Sequence, residues 1–189
     1  MPSAALNQWR TDRLPRLSEI DAQCAAVGVL APPNPLLLDE SLRGYVVLLS
    51  AHFQGFCRDL YTESAQVIVA RVRVRLQAVV QDQFVRHLSL SYGNPNLHNV
   101  VRDYERFGFD IRPALHAGAG SALRLERLAT LNAWRNVAAH QGTTLPPGGP
   151  LALARVREWR TACDELAISL DGIMYNQLRR MLRRRPWPP

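Results

Sequence analysis

Residues 39–60, DESLRGYVVLLSAHFQGFCRDL, contain the clearest fold signal in this chain of 189 residues. Large apolar side chains recur there at intervals of three and four positions: Leu42, Val46, Leu49, Phe53, Phe56 and Leu60. Because an α-helix turns through about 100° per residue, this spacing puts them on one face of a helix. The other side carries polar residues, among them Arg43 and Gln54. The stretch therefore predicts a long amphipathic helix, capped at its start by Asp39.

Helical patterns continue on both sides of this stretch. Upstream, residues 4–28 predict two helices that meet in a kink at Pro15, and Gly28 is expected to end the second. Downstream, residues 65–88 predict another helix, although the alternation in VRVRL is also typical of a strand. Asn96 and Ser121 are predicted to cap helices that run to about residues 107 and 139.

The longest clear helix is predicted near the end of the chain, over residues 151–183. Its apolar face consists of Val156, Trp159, Cys163, Leu166, Leu170, Ile173 and Met174. We therefore expect an all-α protein, an up-and-down helical bundle in a single domain. Residues 1–35 would form an N-terminal extension with extra helices, 39–183 the bundle, and 184–189 a tail rich in proline and arginine.

Composition narrows the class of protein. The formal net charge is +7, and all 23 basic residues are arginines, which bind phosphates through paired hydrogen bonds. That balance favours a polyanionic partner: RNA, DNA or an acidic protein.

No apolar run approaches the roughly 18 residues of a membrane helix, and the first residues lack a signal-peptide pattern, so we expect a cytoplasmic protein that contacts no membrane. Cys24, Cys57 and Cys163 have neither disulfide nor metal-ligand spacing, so we expect no metal and no cofactor.

The segment with the most chemical potential is residues 135–142, RNVAAHQG. An arginine and a histidine five positions apart carry little weight, because 23 arginines and 5 histidines give about 0.6 such pairs by chance. Requiring an asparagine directly after the arginine lowers that expectation to about 0.03. The segment also closes an amphipathic helix, with Gly142 just beyond it. As an ordinary helix end, it would pair Arg135 with a glutamate and use His140 to cap the last carbonyls.

RNVAAHQG resembles the R-x4-6-H signature of the HEPN superfamily, in which a polar residue, often asparagine, follows the arginine. Residues 46–68, VVLLSAHFQGFCRDLYTESAQVI, are similar to the first core helix of the RiboL-PSP-HEPN-like branch. The resemblance covers roughly residues 40–180 and departs from the pattern at Gln54, where relatives can carry an acidic residue.

The resemblance implies an activity, because many HEPN proteins are metal-independent endoribonucleases that act as toxins or phage-defence effectors. Carried over to this chain, Arg135, Asn136 and His140 would be the catalytic set, with two motifs facing each other across a homodimer interface. An antitoxin or a defence-system protein would be a further partner. Residue chemistry is compatible with this: histidine, which titrates near pH 6.5, can move the protons of an attack by the RNA 2′-hydroxyl, and arginine can stabilise the charge on the phosphate.

Candidate RNA-binding residues are Arg58, Trp134, Arg183 and Arg184, with Trp187 beside the last two. Each has a plainer interpretation: an exposed charged turn for Arg58, a core anchor for Trp134, and a solvated helix end for the arginine-rich tail. Two other functions stay open, a non-catalytic HEPN-like interaction or adaptor protein and, less favoured, a helical DNA-binding regulator.

Overall fold

The computed structural model describes residues 2–140, 146 and 149–187. In chain order the α-helices are α1 (Ala4–Gln8), α2 (Leu14–Gly28), α3 (Pro35–Val69), α4 (Val74–Val85), α5 (Ser89–Tyr92), α6 (Leu97–Tyr104), α7 (Arg112–His116), α8 (Ser121–His140) and α9 (Leu153–Leu182). A π-helical turn, Trp9–Arg13, joins α1 to α2, and a 3-10 turn, Glu105–Phe107, follows α6. No strand occurs in these ranges, which confirms the predicted all-α bundle. None of the helices in them has the length and apolar character that crossing a membrane requires.

Helix α3 is the centre of the bundle. The six apolar residues of its predicted stripe are each at most 3% exposed, and α2, α8 and α9 pack around it. The helix begins earlier than predicted, because its cap is Asn34, whose side chain accepts a hydrogen bond from the Leu37 amide (3.0 Å). The prediction that Asp39 caps the helix was wrong: Pro35, which suits a first helical position, has already started it. Asp39 instead forms an ion pair with Arg43 one turn later (2.6 Å).

The N-terminal segment belongs to the same core. Trp9 is fully buried, and its ring centroid lies 6.1 Å from that of Phe53 and 5.8 Å from that of Phe56 on α3. Its indole Nε1 donates to the Asp164 carboxylate on α9 (2.9 Å). The Glu63 carboxylate on α3 accepts two backbone amides at the start of α1 (2.9 and 3.0 Å). Residues that the sequence set apart as an extension are therefore tied to α3 and α9.

The predicted interruption at Pro15 takes the form of the π-helical turn just before α2. Pro15 is in the first turn of α2, directly after the π turn, and α2 ends at Gly28 as predicted. Arg13, the last residue of the π turn, crosses to α3, pairs with Asp59 and donates to the His52 carbonyl (3.3 Å). Gly55 makes this crossing possible, because a Cβ there would overlap the Arg13 guanidinium.

A buried carboxylate joins α2 to the last helix. Asp21 is 8% exposed and accepts hydrogen bonds from Nε (2.9 Å) and Nη2 (2.7 Å) of Arg157 on α9. The hydroxyl of Tyr45 lies 3.5 Å from the same carboxylate, and Arg160 lies 3.9 Å from it. The hydrogen bonds from Arg157 hold the pKa of Asp21 below its ordinary value. Because this pKa is lowered on folding, the stabilisation is present above the unfolded-state pKa and is lost as pH falls through the folded-state pKa.

We expect Asp21→Asn to lower the free energy of unfolding by about 1 kcal/mol at neutral pH, since Arg157 then donates to a neutral acceptor. The difference between the two proteins should shrink below about pH 4, where the wild-type carboxylate becomes protonated. Urea denaturation at several pH values measures it. Asp12→Asn is the control, because it removes an exposed ion pair with Arg16 and should change the free energy by less than about 0.5 kcal/mol. An Asp21→Asn difference that is equal at about pH 3 and about pH 7 would contradict this assignment.

Residues 65–88 do not form the single helix that the sequence predicted, nor a strand. Helix α3 continues to Val69, the chain turns over residues 70–73, and α4 begins at Val74. The rings of Tyr61 on α3 and Phe84 on α4 lie 6.3 Å apart, and the Tyr61 hydroxyl donates to the Phe84 carbonyl (2.9 Å). An unbroken helix would carry Phe84 away from the core. The alternating VRVR segment offers no single apolar face to bury, so the chain turns there and folds back.

The other predicted boundaries agree closely with the structure. The Asn96 side chain caps α6 by accepting from the Asn99 amide (2.8 Å). Helix α8 begins at Ser121, but its hydroxyl donates to the His116 carbonyl (2.9 Å), so Ser121 is not a cap that accepts from the helix. Helix α9 buries the predicted apolar face, with Ile173 only partly buried.

Candidate active site

Helix α8 carries the motif that the sequence predicts to be catalytic. Leu128, Leu131 and Trp134 are each at most 4% exposed and anchor α8 in the core, where it packs against α3 and α9. Arg135 follows Trp134 directly, and His140 is the last residue of the helix. This packing turns the final helical turns towards the surface. Gly142, which the sequence predicts to close the helix, lies outside the described residues.

The three motif side chains are open to a ligand. Arg135 is half-buried, whereas Asn136 and His140 are exposed. The ordinary helix-end interpretation requires a glutamate partner for Arg135 and carbonyl contacts for His140. Within residues 2–140, 146 and 149–187, the Arg135 side chain forms no ion pair and the His140 imidazole forms no hydrogen bond. The Arg135 guanidinium instead approaches the neighbouring Asn136 Oδ1 (3.4 Å).

A loop from a distant part of the chain holds Asn136 in place. Nδ2 of Asn94 donates to Oδ1 of Asn136, and the carbonyl of Asn94 accepts from Nδ2 of Asn99 (2.8 Å). Gly93 permits this second bond, because a Cβ at that position would overlap the Asn99 side chain. Asn132 lies one turn before Asn136 on α8, and its side-chain amide donates to the carbonyl of Pro95, the residue after Asn94 (3.5 Å). The asparagines therefore fix the orientation of the Asn136 amide relative to the loop.

These hydrogen bonds determine which side-chain groups of the motif are still available to bind a ligand. Oδ1 of Asn136 accepts from Asn94 and Arg135, so its Nδ2 donors have no partner in the described part of the chain. Asn136 and His140 lie one turn apart, separated by about 6 Å along the helix and about 40° around it. Arg135 lies about 140° around the helix from His140. One copy of the motif thus offers an amide and an imidazole on one side, with a guanidinium beside them.

The structure separates the predicted RNA-binding residues into two groups. Trp134 is 1% exposed and Trp187 is 3% exposed, so neither offers a ring face to a nucleotide base. The predicted stacking role of Trp134 was therefore wrong, because packing of α8 against the bundle takes up its whole ring. Arg58, on α3, and the tail residues Arg183 and Arg184 are exposed, and their roles stay predictions.

Two residues of this region were not predicted from the sequence. Asn94 holds Asn136 from 42 positions away in the chain, and no spacing pattern reports such a contact. Tyr92, two residues before Asn94, is 90% exposed, and an aromatic ring so open to solvent is suited to stacking on a base. The sequence signal for Tyr92 was the polar stretch GNPN directly after it, because no apolar stripe continues there to bury an aromatic ring.

Within the described ranges, no three His, Cys, Asp or Glu side chains are grouped closely enough to hold a metal ion. Comparison with known proteins identifies no relative of this chain. The chain matches no family model, no curated protein and no solved structure.

Proposed function

We propose that this protein is a metal-independent endoribonuclease of HEPN type, acting as a toxin or a phage-defence effector in the cytoplasm. The observation that carries the proposal is the Arg135, Asn136 and His140 set at the end of α8, with Asn136 and His140 exposed and Arg135 half-buried. These side chains are not used in ordinary helix-end contacts with the described residues. The net charge of +7 supports it, because RNA is a polyanion.

The proposed reaction uses only side chains and the RNA itself. One histidine accepts the proton of the ribose 2′-hydroxyl as its oxygen attacks the adjacent phosphorus, and a second proton donor protonates the leaving 5′-oxygen. Arg135 and the free Nδ2 donors of Asn136 stabilise the negative charge that builds up on the phosphate oxygens. The products are a 2′,3′-cyclic phosphate end and a 5′-hydroxyl end.

Two motifs are needed in this proposal because one chain supplies a single histidine there. Since Arg135 and His140 diverge around the helix by about 140°, one copy does not surround a phosphate. We infer that two copies meet in a homodimer, so that the two His140 side chains divide the roles of base and acid. An antitoxin or defence protein that covers this surface would restrain the activity.

The experiment that tests the function is cleavage of single-stranded RNA by the wild-type protein in EDTA, with analysis of the product ends. We expect cleavage to persist, with 2′,3′-cyclic phosphate and 5′-hydroxyl ends, and to stop when the RNA carries 2′-methoxy groups. A strict requirement for a divalent metal, or products with 5′-phosphate ends, would refute the proposal. Preference for duplex DNA over RNA would favour the DNA-binding alternative.

The end of α9 is a candidate surface for holding the RNA. Arg179, Arg180 and Arg183 line an open depression of about 600 Å³ together with Asn176. None of the three arginines forms an ion pair with a described residue. Replacing all three with glutamine should weaken binding of a 2′-O-methyl RNA about tenfold. It should also reduce the salt dependence of log Kd by about two units, since each single-strand phosphate contact contributes about 0.7.

The control variant replaces Arg10, Arg71 and Arg102, which are exposed elsewhere, with glutamine. Both variants lose three positive charges, so a difference in their RNA affinity reports a local binding site rather than general electrostatic attraction of RNA to a basic protein. Equal weakening in a fluorescence anisotropy titration would show that α9 is not a preferred RNA surface.

A further inference from the structure

Helix α4 is unusual in this bundle because it has no buried residue. Four of its large apolar side chains are largely exposed: Val74 is 82% exposed, Leu76 53%, Val79 61% and Val85 61%. The helix packs on α3 through Phe84, and beside that contact the two helices leave a groove of about 430 Å³. The groove is lined by apolar side chains such as Ala65, Val69 and Val85. Val85 belongs to the groove and Val74 lies on the same side of α4, whereas Leu76 and Val79 lie on the opposite side. The uncovered apolar groove, rather than the scattered exposed residues, indicates an interaction surface.

The exposed residues beside the groove follow the spacing of a helix-pairing seam. Val74, Ala78, Gln81 and Val85 are separated by four, three and four positions, which is the a/d pattern of paired helices. All four are exposed, and Gln81 and Val85 also line the groove. Val79 lies about 130° around the helix from the centre of this seam and does not belong to it.

The seam is complementary to itself when two copies run antiparallel. If Val74 faces Val85 of the second copy, then Ala78 faces Gln81, and the same two contacts recur on the other side of the two-fold axis. Such a reciprocal arrangement is what a symmetric dimer interface requires. The small Ala78 lets the helices approach closely, and the two Gln81 amides lie about 4.5 Å apart along the axis, where they can hydrogen-bond.

The charges beside the seam agree with this register. Arg75 and Asp82 lie on the same flank of α4, on the side away from α3, and both are accessible. In the antiparallel pair, Arg75 of each copy comes within about 3 Å, along the helix axis, of Asp82 of the other. Asp82 already accepts a hydrogen bond from Arg86 (2.7 Å), and its second oxygen remains for Arg75. In parallel pairing, Arg75 of one copy and Asp82 of the other would lie on opposite flanks of the seam, so this ion pair would not form.

We propose that this protein forms a symmetric dimer through antiparallel pairing of α4 with α4 of a second copy, each α4 also contacting the α3 groove of its partner. This α4 interface is separate from the contact between two α8 motifs that the proposed function requires, and neither interface depends on the other. The α4 interface can therefore be tested without any RNA.

The first test compares two valines that are equally exposed on the same helix, Val85 in the seam and Val79 outside it. Val85→Glu should raise the Kd of the dimer at least about 30-fold in sedimentation experiments, since each copy would bury an unpaired carboxylate. Val79→Glu should leave the Kd within about twofold. Circular dichroism checks that both variants stay folded, and Gln81→Glu gives a second, milder seam variant. A monomeric wild-type protein, a Kd that Val85→Glu leaves unchanged, or equal loss of dimer in both valine variants would overturn the proposal.

The second test fixes the register by cross-linking. Chains with Val74→Cys are mixed with chains with Val85→Cys, and a thiol cross-linker too short to span about 16 Å is added. We expect cross-linked dimers in the mixture but not with either variant alone, because like positions are about 16 Å apart along the axis. The native cysteines are at most 1% exposed and stay unreactive. Cross-linking of each variant with itself, or none in the mixture, would contradict antiparallel pairing.

Discussion

His140→Ala should lower the rate of RNA cleavage by a factor of about 10²–10⁴, since a positioned acid or base contributes that much. Arg135→Ala should lower it by a factor of about 10²–10³, because the charge on the phosphate then loses its guanidinium partner. Arg135→Lys keeps the positive charge but cannot bind a phosphate in a bidentate manner, so its activity should stay well below that of the wild type. Both residues lie at the surface end of α8, so the unfolding midpoint in urea should change little.

The matched control for this experiment is His116→Ala. His116 is also an exposed histidine at the end of a helix, and its side chain has no role in the proposed site. We expect its cleavage rate to stay within about twofold of the wild type. If His140→Ala and Arg135→Ala cleave as well as His116→Ala does, the motif is not catalytic, and an interaction or adaptor role becomes the better proposal.

Trp9→Ala should lower the free energy of unfolding by about 3–5 kcal/mol, a large part of the about 5–15 kcal/mol that stabilises a typical domain. The side chain is fully buried between the Phe53 and Phe56 rings, so its removal leaves a cavity in the centre of the bundle. The variant also loses the indole hydrogen bond to Asp164. Urea denaturation followed by circular dichroism measures the change.

Two further variants separate the contribution of the buried ring from that of its hydrogen bond and provide an exposed control. Trp9→Phe keeps most of the apolar volume but loses the hydrogen bond, and should cost about 1–3 kcal/mol. Val29→Ala alters an 82% exposed side chain just after α2 and should cost less than about 0.5 kcal/mol. If Trp9→Ala were as mild as Val29→Ala, the N-terminal segment would not be part of the core.

Local patterns in the sequence were sufficient for much of the fold. The stripe from Leu42 to Leu60 predicted the central helix because helical periodicity depends only on neighbouring residues, and its burial follows from hydrophobicity. The same reasoning found α9 and the exposed end of α8. It failed between Val69 and Val74, where the turn depends on Phe84 packing against Tyr61, more than 20 positions earlier.

The candidate site also has features that the sequence predicted and features that only the tertiary structure shows. The sequence by itself determined that Arg135, Asn136 and His140 stand at the end of an amphipathic helix, because their spacing is a local property of that helix. Only the tertiary structure decided that Trp134 is a core residue, that Asn94 holds Asn136, and that α4 keeps an uncovered apolar seam. Each of these depends on which distant segments lie side by side, and that choice is made by the packing of the whole bundle.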